Sequence, residues 1–437
     1  MNRTPPEALL NWFDRSDGVT TDTRKCGPGM LFFALKGERF DGNTFALQAL
    51  EAGCLAAVVD DPAVVGDNVL HVENVLQSLQ SLANLHRQRF ACPVLGLTGS
   101  NGKTTTKELL RAVLSESFDV RATAGNLNNH IGVPLTLLSF PKDVEFAIVE
   151  MGANHQGEIA ALSRIAEPTH GIITNVGMAH LEGFGGIEGV KKGKQELFVH
   201  LAAKGGTAFV PASDDDLMAL SKLEGLVRLC FGTAKHPPLS WRTGEAPGAP
   251  VYWSMNGPNP GPWHESKGGL KVELEGQHQL ANMTVAMAVG HHFGVPAEGI
   301  GEALEAFQPV QQRGELVETE ANTVIIDCYN ANPSSVESTL RAFAASGHIK
   351  PLAILGDMME LGEHAPSGHR LVRDVAADCN IECWTVGRQF AQHAPGDRAF
   401  DTLDALETLL DSQPESDRTI LLKGSRSMKL ETLVPRL

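Results

Sequence analysis

Glycines, a lysine and threonines between residues 95 and 110 form a pattern that suits phosphate binding. The stretch "LGLTGSNGKTTTKELL" joins an apolar run to a polar loop that comprises Gly99, Ser100, Asn101, Gly102, Lys103, Thr104 and Thr105. Between a strand and a helix, the backbone N–H groups of such a loop and the positive end of the helix dipole point at an anion. Lys103 can reach the β- and γ-phosphates of a nucleotide, and the Thr104 hydroxyl can bind Mg²⁺. The pattern therefore predicts a nucleotide phosphate site.

The loop departs from the commonest phosphate-loop pattern. That pattern has an earlier glycine at the position that Leu97 occupies in this chain. A tight turn that carries an exposed lysine is the alternative, because short motifs of this kind also match unrelated turns.

Two further apolar runs are followed by groups that could hold a cation. The segment "FAIVEMGANHQGE" ends its apolar run at Glu150, and "ITNVGMAHLEGFG" places His180 and Glu182 beyond another. Carboxylate oxygens suit a hard cation such as Mg²⁺, and parallel strands bring their carboxyl ends to one sheet edge. The alternatives are a capping or solvated carboxylate and a structural histidine.

The spacing does not decide the role of the lysines in "VKKGKQELF". Lys191, Lys192 and Lys194 lie within this short segment. On their spacing alone, we interpret them as a solvated face of a helix.

Polar residues also follow two strand-like runs near the end of the chain. The segment "IIDCYNANPSSVE" places Tyr329, Asn330 and Asn332 after Asp327. Asn-Pro begins a turn, and we expect Ser334 or Ser335 to cap the following helix. The segment "LLKGSRSMKLE" supplies Lys423, Ser425 and Arg426, which suit an anion. A polar ligand site and an ordinary turn are both compatible with these residues.

The elements that must position these groups alternate between strand-like and helical patterns. This alternation predicts an α/β fold with parallel sheets covered by helices. A chain of 437 residues exceeds one hydrophobic core, so several domains are expected. We predict a small N-terminal α/β domain at 1–88, a central phosphate-loop domain at 89–314 and a C-terminal Rossmann-like domain at 315–437. Residues 234–269, rich in Pro and Gly, are predicted to form loops or an edge hairpin.

Composition excludes several classes of protein. The chain is 42% hydrophobic and 20% charged, which does not fit a disordered or fibrous protein. Its net charge of −16 argues against a nucleic-acid partner and an anionic membrane surface. The N-terminus lacks the apolar core of a signal peptide and no long apolar run follows, so we expect a cytoplasmic protein. Its seven scattered cysteines are expected to be reduced thiols.

Taken together, the motifs resemble those of the ATP-dependent Mur ligases, which make bacterial cell-wall precursors. The central-domain resemblance lies in "TGSNGKTTT", "TAGNLNNHIGVPLTLL", "EMGANHQGEI", "NVGMAHLEGFG" and "KGKQELF". The segments "DCYNANPSS", "LGDMMELGEH" and "DTR…MLFFALKGERFDGNTF" are similar to those of the family member that adds D-alanyl-D-alanine. The resemblance covers nearly the whole chain and is weakest over 214–270. It implies the three-domain architecture of this family.

The resemblance implies a reaction. The γ-phosphate of ATP passes to the carboxylate of UDP-N-acetylmuramoyl-tripeptide, and the amine of D-Ala-D-Ala attacks the acyl phosphate. An amide, ADP and phosphate result. The implied cofactors are ATP and Mg²⁺ at two sites, and the implied partners are these substrates, with the chain acting as a monomer. From the layout of three domains with a substrate on each, we further expect the C-terminal domain to close on the central one when ATP and the UDP-tripeptide are bound.

Site residues are carried over from the resemblance position by position. The implied catalytic residues are Lys103, Glu150, His180 and Lys194. Thr104 and Glu150 would hold one Mg²⁺, while His180 and a carbamylated Lys194 would hold the other. The residues implied at ATP, besides the loop Gly99–Thr105, are Asn282, Arg313 and Asp327. The residues implied at the other substrates are Asp22, Thr23, Arg24, Lys36, Asn126, Asn128, Asn129, Asn330 and Asn332.

Other functions remain as competing hypotheses. Another amino-acid ligase of this family, or a ligase that adds glutamate to a folate, would share the loop and metal residues. A nucleotide-hydrolysing switch and a precursor-binding protein without activity are the hypotheses from other classes. The chain departs from the family pattern at Gln279, where asparagine is common, and at Cys328, where a polar residue is more usual.

Overall fold

Three α/β units follow one another along the chain. The computed structural model describes residues 3–232, 239–243, 251–255, 277–308, 312–396 and 398–437. The N-terminal unit contains α1 (Pro6–Phe13), β1 (Gly18–Thr20), β2 (Met30–Phe33), β3 (Lys36–Gly37), β4 (Phe40–Asp41), α2 (Ala46–Glu51), β5 (Ala56–Val59), β6 (Val69–His71) and α3 (Val75–Arg87). Its parallel sheet has the order β1-β2-β5-β6, and β3 and β4 form a separate hairpin.

Helix α3 joins this unit to the next one. Asn74 caps the helix by accepting a hydrogen bond from the backbone N–H of Gln77 at 2.8 Å. The apolar side chains of α3 pack against α1 of its own unit and against α5 and α6 of the next unit. At its end, the buried Arg87 guanidinium donates to the carbonyl oxygens of Ala166 and Glu167, at 2.8 Å each. A cation therefore stabilises the negative end of α6 across the junction.

The central unit is built on a six-stranded parallel sheet. Its elements are β7 (Val94–Thr98), α4 (Lys103–Ser115), β8 (Val120–Ala122), α5 (Gly132–Leu138), β9 (Phe146–Glu150), α6 (Glu158–Ala166), β10 (His170–Ile173), α7 (Leu181–Phe184), α8 (Ile187–Lys204), β11 (Thr207–Pro211), α9 (Asp215–Leu220), β12 (Val227–Phe231), β13 (Leu239–Thr243), β14 (Val251–Met255), α10 (Gln277–His292) and α11 (Ala297–Glu305). The six strands of the sheet have the order β12-β11-β10-β7-β9-β8. Strand β7 thus lies between β9 and β10, where the strand order reverses, and ligands of open parallel sheets bind beyond the carboxyl ends of the strands at such a point.

Two hydrophobic layers cover the central sheet. One is formed mainly by α5, α6 and α8 together with α3, and the other by α4, α10 and α11. The inner strands β7, β9, β10 and β11 are largely buried on both faces, as their continuous apolar runs predict, whereas the edge strands β8 and β12 carry exposed residues. The sheet therefore holds the ends of β7, β9 and β10 in fixed register.

The C-terminal unit has a second six-stranded sheet. Its elements are β15 (Glu315–Glu318), β16 (Thr323–Asp327), α12 (Pro333–Ala345), β17 (Leu352–Gly356), α13 (Ala365–Asp378), β18 (Glu382–Val386), α14 (Arg388–His393), β19 (Ala399–Phe400), α15 (Leu403–Ser412) and β20 (Thr419–Lys423). The order is β15-β16-β20-β17-β18-β19, and only the pairing of β15 with β16 is antiparallel. Separate apolar clusters cover its two faces.

The predicted α/β class and the order of the three units are confirmed. Strands β13 and β14 form an antiparallel hairpin inside the predicted 234–269 stretch, and the remainder of that stretch lies outside the described residues. The boundaries at 88 and 314 stay predictions. All seven cysteines are free thiols. Within the described ranges, the helices are all too short or too polar to cross a membrane.

Candidate active site

The glycine-rich loop lies at the carboxyl end of β7, as the sequence predicts. Gly99 has a φ of +148°, and a Cβ there would lie 1.9 Å from Oγ1 of Thr174. Gly102, immediately before α4, has a φ of +76°, and a Cβ there would lie 2.7 Å from Oδ1 of Asn282. Only glycine fits both positions, since each combines a left-handed backbone with a close neighbour. The loop can therefore follow its tight path into the helix.

The segment after β10 fixes the loop from the side. The backbone N–H of Asn101 donates to Oδ1 of Asn175 at 3.0 Å, and the amide of Asn175 returns a bond to the carbonyl of Asn101 at 3.1 Å. The hydroxyl of Ser100 bonds the carbonyl of Gly177 at 3.0 Å and accepts from the N–H of Gly177 at 2.9 Å. These contacts fix the loop against the segment that follows β10.

Lys103 folds back over the loop. Its Nζ donates to the carbonyl oxygens of Gly99 at 2.7 Å and Ser100 at 3.2 Å. Burial lowers the pKa of Lys103, the charge of Glu150 opposes that shift, and the charge of Arg313 adds to it. The ammonium group therefore lies against the loop backbone, near the charges of Glu150 and Arg313.

Glu150 ends β9 beside the loop and is almost fully buried. Its carboxylate accepts from the Thr104 hydroxyl at 3.2 Å through Oε2 and from the Asn128 amide at 2.8 Å through Oε1. Its exposed fraction is 1%. The carboxylate is therefore neither a solvated strand end nor a helix cap, which were the alternatives left open by the sequence. The structure brings together the predicted pair Thr104 and Glu150 and adds Asn128.

Lys194 lies in the interior of α8 rather than on a solvated face. It is 2% exposed, and its Nζ lies 5.2 Å from the centre of the Phe184 ring. Burial, together with the nearby charge of Lys103, lowers the pKa of Lys194 to about 7. The interpretation from spacing was therefore wrong for Lys194, because burial of one position of a helix depends on what packs against it.

His180 lies just before α7 and contacts the C-terminal unit. Its backbone is left-handed, with a φ of 53°, and its Nδ1 lies 2.5 Å from Oε2 of Glu360. The hydrogen bond from His180 lowers the pKa of the Glu360 carboxyl group. Nearby, a Cβ added at Gly362 would touch the side chain of Glu182 at 3.0 Å, so the 360–362 turn packs closely on α7. The candidate metal ligand thus has a carboxylate partner from another unit, which sequence reasoning missed.

The side of the loop toward α10 is lined by amides. Asn282 accepts from the Thr106 hydroxyl at 3.1 Å and donates to Oε1 of Gln279 at 3.1 Å. Gln279, the departure from the family pattern, therefore orients the predicted ATP residue Asn282. Both side chains are buried.

Arg313 and Asp327 lie at the start of the C-terminal unit. The Arg313 guanidinium stacks over the ring of Tyr329, 3.9 Å from its centre. Asp327 accepts from the buried Lys423 at 2.6 Å and from Thr339 at 3.2 Å. Lys423, which the sequence suggested as an anion-binding residue, is therefore already paired with Asp327, which the resemblance implies at ATP.

The segment "NANPSS" meets the phosphate loop. Asn332 caps α12 by accepting from the N–H of Ser335 at 2.9 Å, and its amide donates to Oδ1 of Asn101 at 2.7 Å. Ser334 accepts from the Asn101 amide at 3.0 Å. The cap is thus Asn332 rather than Ser334 or Ser335, because the side-chain oxygen before Pro333 reaches the free N–H groups. Asn330 is exposed and lies shortly before Asn332 in the sequence.

The remaining predicted substrate residues lie on or beside the N-terminal unit. Arg24 forms a paired contact with Asp22 at 2.7 Å and lowers the pKa of Asp22 to about 2. Lys36 pairs with Asp60 at 3.0 Å. Thr23 follows Asp22 in a one-turn helix, Thr23–Lys25. Asn126 and Asn129 are exposed in the segment before α5, which packs against β1. Because α5 contacts β1, the segment that carries Asn126 and Asn129 leads into the junction between the N-terminal and central units.

A cavity of about 420 Å³ lies at the opposite edge of the central sheet. Its lining includes Arg87, His170, His200 and Lys204. Among the described residues that line it, none is a predicted site residue. Because ligands of such sheets bind at the carboxyl ends of the strands, the loop side is the candidate site.

Comparison with known proteins covers the whole chain. Residues 15–87 match the Mur ligase family, catalytic domain, residues 97–290 match the Mur ligase middle domain, and residues 312–426 match the Mur ligase, glutamate ligase domain. The chain is 35% identical to the UDP-N-acetylmuramoyl-tripeptide–D-alanyl-D-alanine ligase of Bacillus subtilis, over 95% of this chain and 92% of that protein. The crystal structure of MurF from Acinetobacter baumannii has a TM-score of 0.84 at 30% identity, covering 100% of this chain and 98% of that one. The structure of MurF ligase from Thermotoga maritima in complex with ADP has a TM-score of 0.83 at 26% identity, covering 98% of this chain and 97% of that one.

Proposed function

The chain belongs to the Mur ligase family, and from this premise we propose that it joins D-alanyl-D-alanine to UDP-N-acetylmuramoyl-tripeptide in an ATP-dependent amide ligation. The observation that carries the proposal is the 35% identity over 95% of the chain to a ligase of that name. The loop Gly99–Thr105 beside a buried Glu150 is compatible with ATP as the phosphoryl donor. The product would be a UDP-linked pentapeptide for peptidoglycan synthesis.

The chemistry needs a leaving group on a carboxylate. A carboxylate oxygen of the tripeptide attacks the γ-phosphorus of ATP, which releases ADP and leaves an acyl phosphate. The amine of D-Ala-D-Ala then attacks the carbonyl carbon, loses a proton, and expels phosphate as the amide forms. The loop N–H groups and Lys103 would stabilise charge on the phosphates in the first step. A closed cleft would keep water away from the acyl phosphate.

The residues around Glu150 suit Mg²⁺. A buried carboxylate and a hydroxyl, Glu150 and Thr104, present oxygen atoms beside the phosphate loop, and oxygen is the ligand that this ion prefers. When bound there, Mg²⁺ would neutralise part of the negative charge that builds up between ATP and the carboxylate. Asn128 would hold the Glu150 carboxylate in place from its other oxygen.

A second cation site would be completed by His180 and a modified Lys194. An amine must be neutral to react with CO₂, and burial lowers the pKa of Lys194 to about 7. The reaction forms an N–C bond, releases the amine proton and yields a carbamate whose two oxygens resemble a carboxylate. Such a group would relieve the close approach of two cationic lysines, Lys194 and Lys103.

The substrates would contact groups from all three units. Asp22, Arg24 and Lys36 would contact the UDP end of the precursor, and Asn126 and Asn129 would contact its sugar or peptide part. Asn330 would contact D-Ala-D-Ala. Arg313 and Asn282 would contact ATP. Because one chain supplies all of these groups, we propose that it acts as a monomer, in the cytoplasm where ATP and UDP-linked precursors occur.

A panel of acceptors tests the proposal. Purified protein, ATP, Mg²⁺ and UDP-N-acetylmuramoyl-tripeptide are mixed with D-Ala-D-Ala, diaminopimelate, lysine or glutamate, and phosphate release and product mass are recorded. The proposal predicts release and a pentapeptide mass with D-Ala-D-Ala alone. Release that requires another acceptor would indicate another amino-acid ligase of the family, and release that ignores acceptors would indicate a hydrolase.

A further inference from the structure

Lys107, one turn beyond Thr104 in α4, is fully buried. Its exposed fraction is 0%, and its Nζ donates to the backbone carbonyl of Thr123 at 2.5 Å. The same ammonium pairs with Oε1 of Glu108 at 3.0 Å. A lysine is rarely fully buried, since its charge must be paired and hydrogen-bonded there. The buried ammonium group is thus held by two polar partners, and we ask what else these contacts position.

Thr123 connects this lysine to Glu150. It follows directly on β8, a strand of three residues at the edge of the central sheet. Its Oγ1 accepts from the backbone N–H of Glu150 at 2.9 Å, and its own N–H donates to the carbonyl of Ile148 at 3.0 Å. Two hydrogen bonds thus lead from the Lys107 ammonium to the backbone of Glu150.

The segment beyond Thr123 returns to the same carboxylate. Asn128 holds Oε1 of Glu150, and Thr104, from the helix that carries Lys107, holds Oε2. A short edge strand has few pairing bonds of its own, so the attachment of its end to α4 depends on side chains. Lys107 adds to the apolar packing a hydrogen bond that ties the end of β8 to α4.

We propose that Lys107 is a positioning residue, which fixes Glu150 and the 124–128 segment through the carbonyl of Thr123. It would touch neither ATP nor the cation. This inference rests on the proposed function, in which Glu150 holds Mg²⁺. Removal of a group that hydrogen-bonds and orients a metal ligand, without touching the metal itself, typically weakens metal affinity by about 10- to 100-fold.

The test compares Lys107→Met with Glu108→Gln, which removes the carboxylate that pairs with Lys107 and Arg111 and leaves the hydrogen bond from Lys107 to Thr123 in place. Mn²⁺ binding in the presence of ADP is measured by electron paramagnetic resonance, together with kcat, KM for ATP and the melting temperature. We expect Lys107→Met to weaken Mn²⁺ binding by about tenfold or more. We expect Glu108→Gln to leave Mn²⁺ binding unchanged, and Lys107→Arg to recover part of the loss.

Thr123→Val tests the same connection without touching the lysine. It removes Oγ1 and should weaken Mn²⁺ binding like Lys107→Met, with a double variant no worse than either single one, whereas Thr123→Ser should bind normally. Wild-type Mn²⁺ affinity in a folded Lys107→Met or Thr123→Val protein would overturn the inference. If Lys107→Met fails to fold, the Mn²⁺ affinity of Thr123→Val alone tests the inference. A wild-type protein that binds no Mn²⁺ with ADP would instead overturn the proposed function.

Discussion

At the scale of single residues, Lys194 is expected to make the stability of the folded chain depend on pH. Its pKa is lowered by burial to about 7, far below that of an exposed lysine. Between about pH 7 and the ordinary lysine range, the unfolded chain binds a proton at this residue that the folded chain does not bind. The contribution of unmodified Lys194 to stability therefore rises with pH across that window and is most unfavourable below it.

The same protonation should control the carbamate. One pH unit above about 7, Lys194 is mostly neutral and should react with ¹³C-labelled CO₂, whereas one unit below it should not. A carbamate resonance in the ¹³C spectrum checks this. Activity should rise over the same interval.

Lys192→Met serves as the matched control, because Lys192 is exposed on the same helix. We expect the resonance to persist in Lys192→Met and to vanish in Lys194→Met. A resonance that survives in Lys194→Met would mean that another amine carries the modification.

Residue positions differ in how far the sequence can predict them. The sequence predicts the placement of the loop, Thr104 and Glu150 at one sheet edge, because motif spacing and strand ends define it locally. Lys107 and Glu360 could not be found in this way. A Lys-Glu pair in a helix ordinarily faces solvent, and the partner of Glu360 is His180 in another unit.

At the scale of elements, the start of α12 combines two functions in Asn332. It caps the helix and also bonds Asn101 of the phosphate loop. Asn332→Ala should lower the free energy of unfolding by about 0.5–2 kcal/mol through the lost cap. It should also raise KM for ATP, because the loop loses a contact. Thermal unfolding and steady-state kinetics measure the two effects separately.

Asn74→Ala is the matched control for this prediction. Asn74 caps α3 in the same way, with a bond of 2.8 Å to the N–H of Gln77, away from the phosphate loop. Asn74→Ala should change stability alone. Equal kinetics in both variants would show that the Asn101 contact has no effect on ATP.

Some strands can be located from local pattern alone. Strands β7, β9 and β16 coincide with apolar runs that are followed by polar residues. The cap of α12 was assigned to the wrong residue, because Asn, Pro and two serines all suit a helix start and only the backbone path selects among them. The pairing order of strands from distant parts of the chain could not be read from local patterns.

At the scale of the whole molecule, the C-terminal unit contacts the candidate active site through Glu360. Its carboxylate accepts a hydrogen bond from Nδ1 of His180, and in the proposed second cation site Nε2 would hold the ion. Closure of the C-terminal unit and completion of the second metal site would then be the same event. The exposed Glu363 lies on the same turn and pairs only loosely with His364, at 3.9 Å.

Glu360→Gln should therefore lower kcat by about tenfold with little change in KM for ATP, because the His180 ring loses its charged partner. Small-angle scattering with a non-hydrolysable ATP analogue and the UDP-tripeptide should show less compaction than in the wild type. Glu363→Gln should resemble the wild type in both measurements. Equal compaction and kcat in Glu360→Gln would show that the contact does not couple closure to the site.

In the proposed reaction, the phosphate of ATP activates a carboxylate. The most direct measurement uses UDP-N-acetylmuramoyl-tripeptide with both oxygens of its reacting carboxylate labelled with ¹⁸O, together with ATP, Mg²⁺ and D-Ala-D-Ala. An acyl phosphate transfers a carboxylate oxygen to the departing phosphate, so we predict ¹⁸O in the released phosphate and the remaining label in the amide of the pentapeptide. Unlabelled phosphate would contradict the account, since water would then have attacked ATP directly.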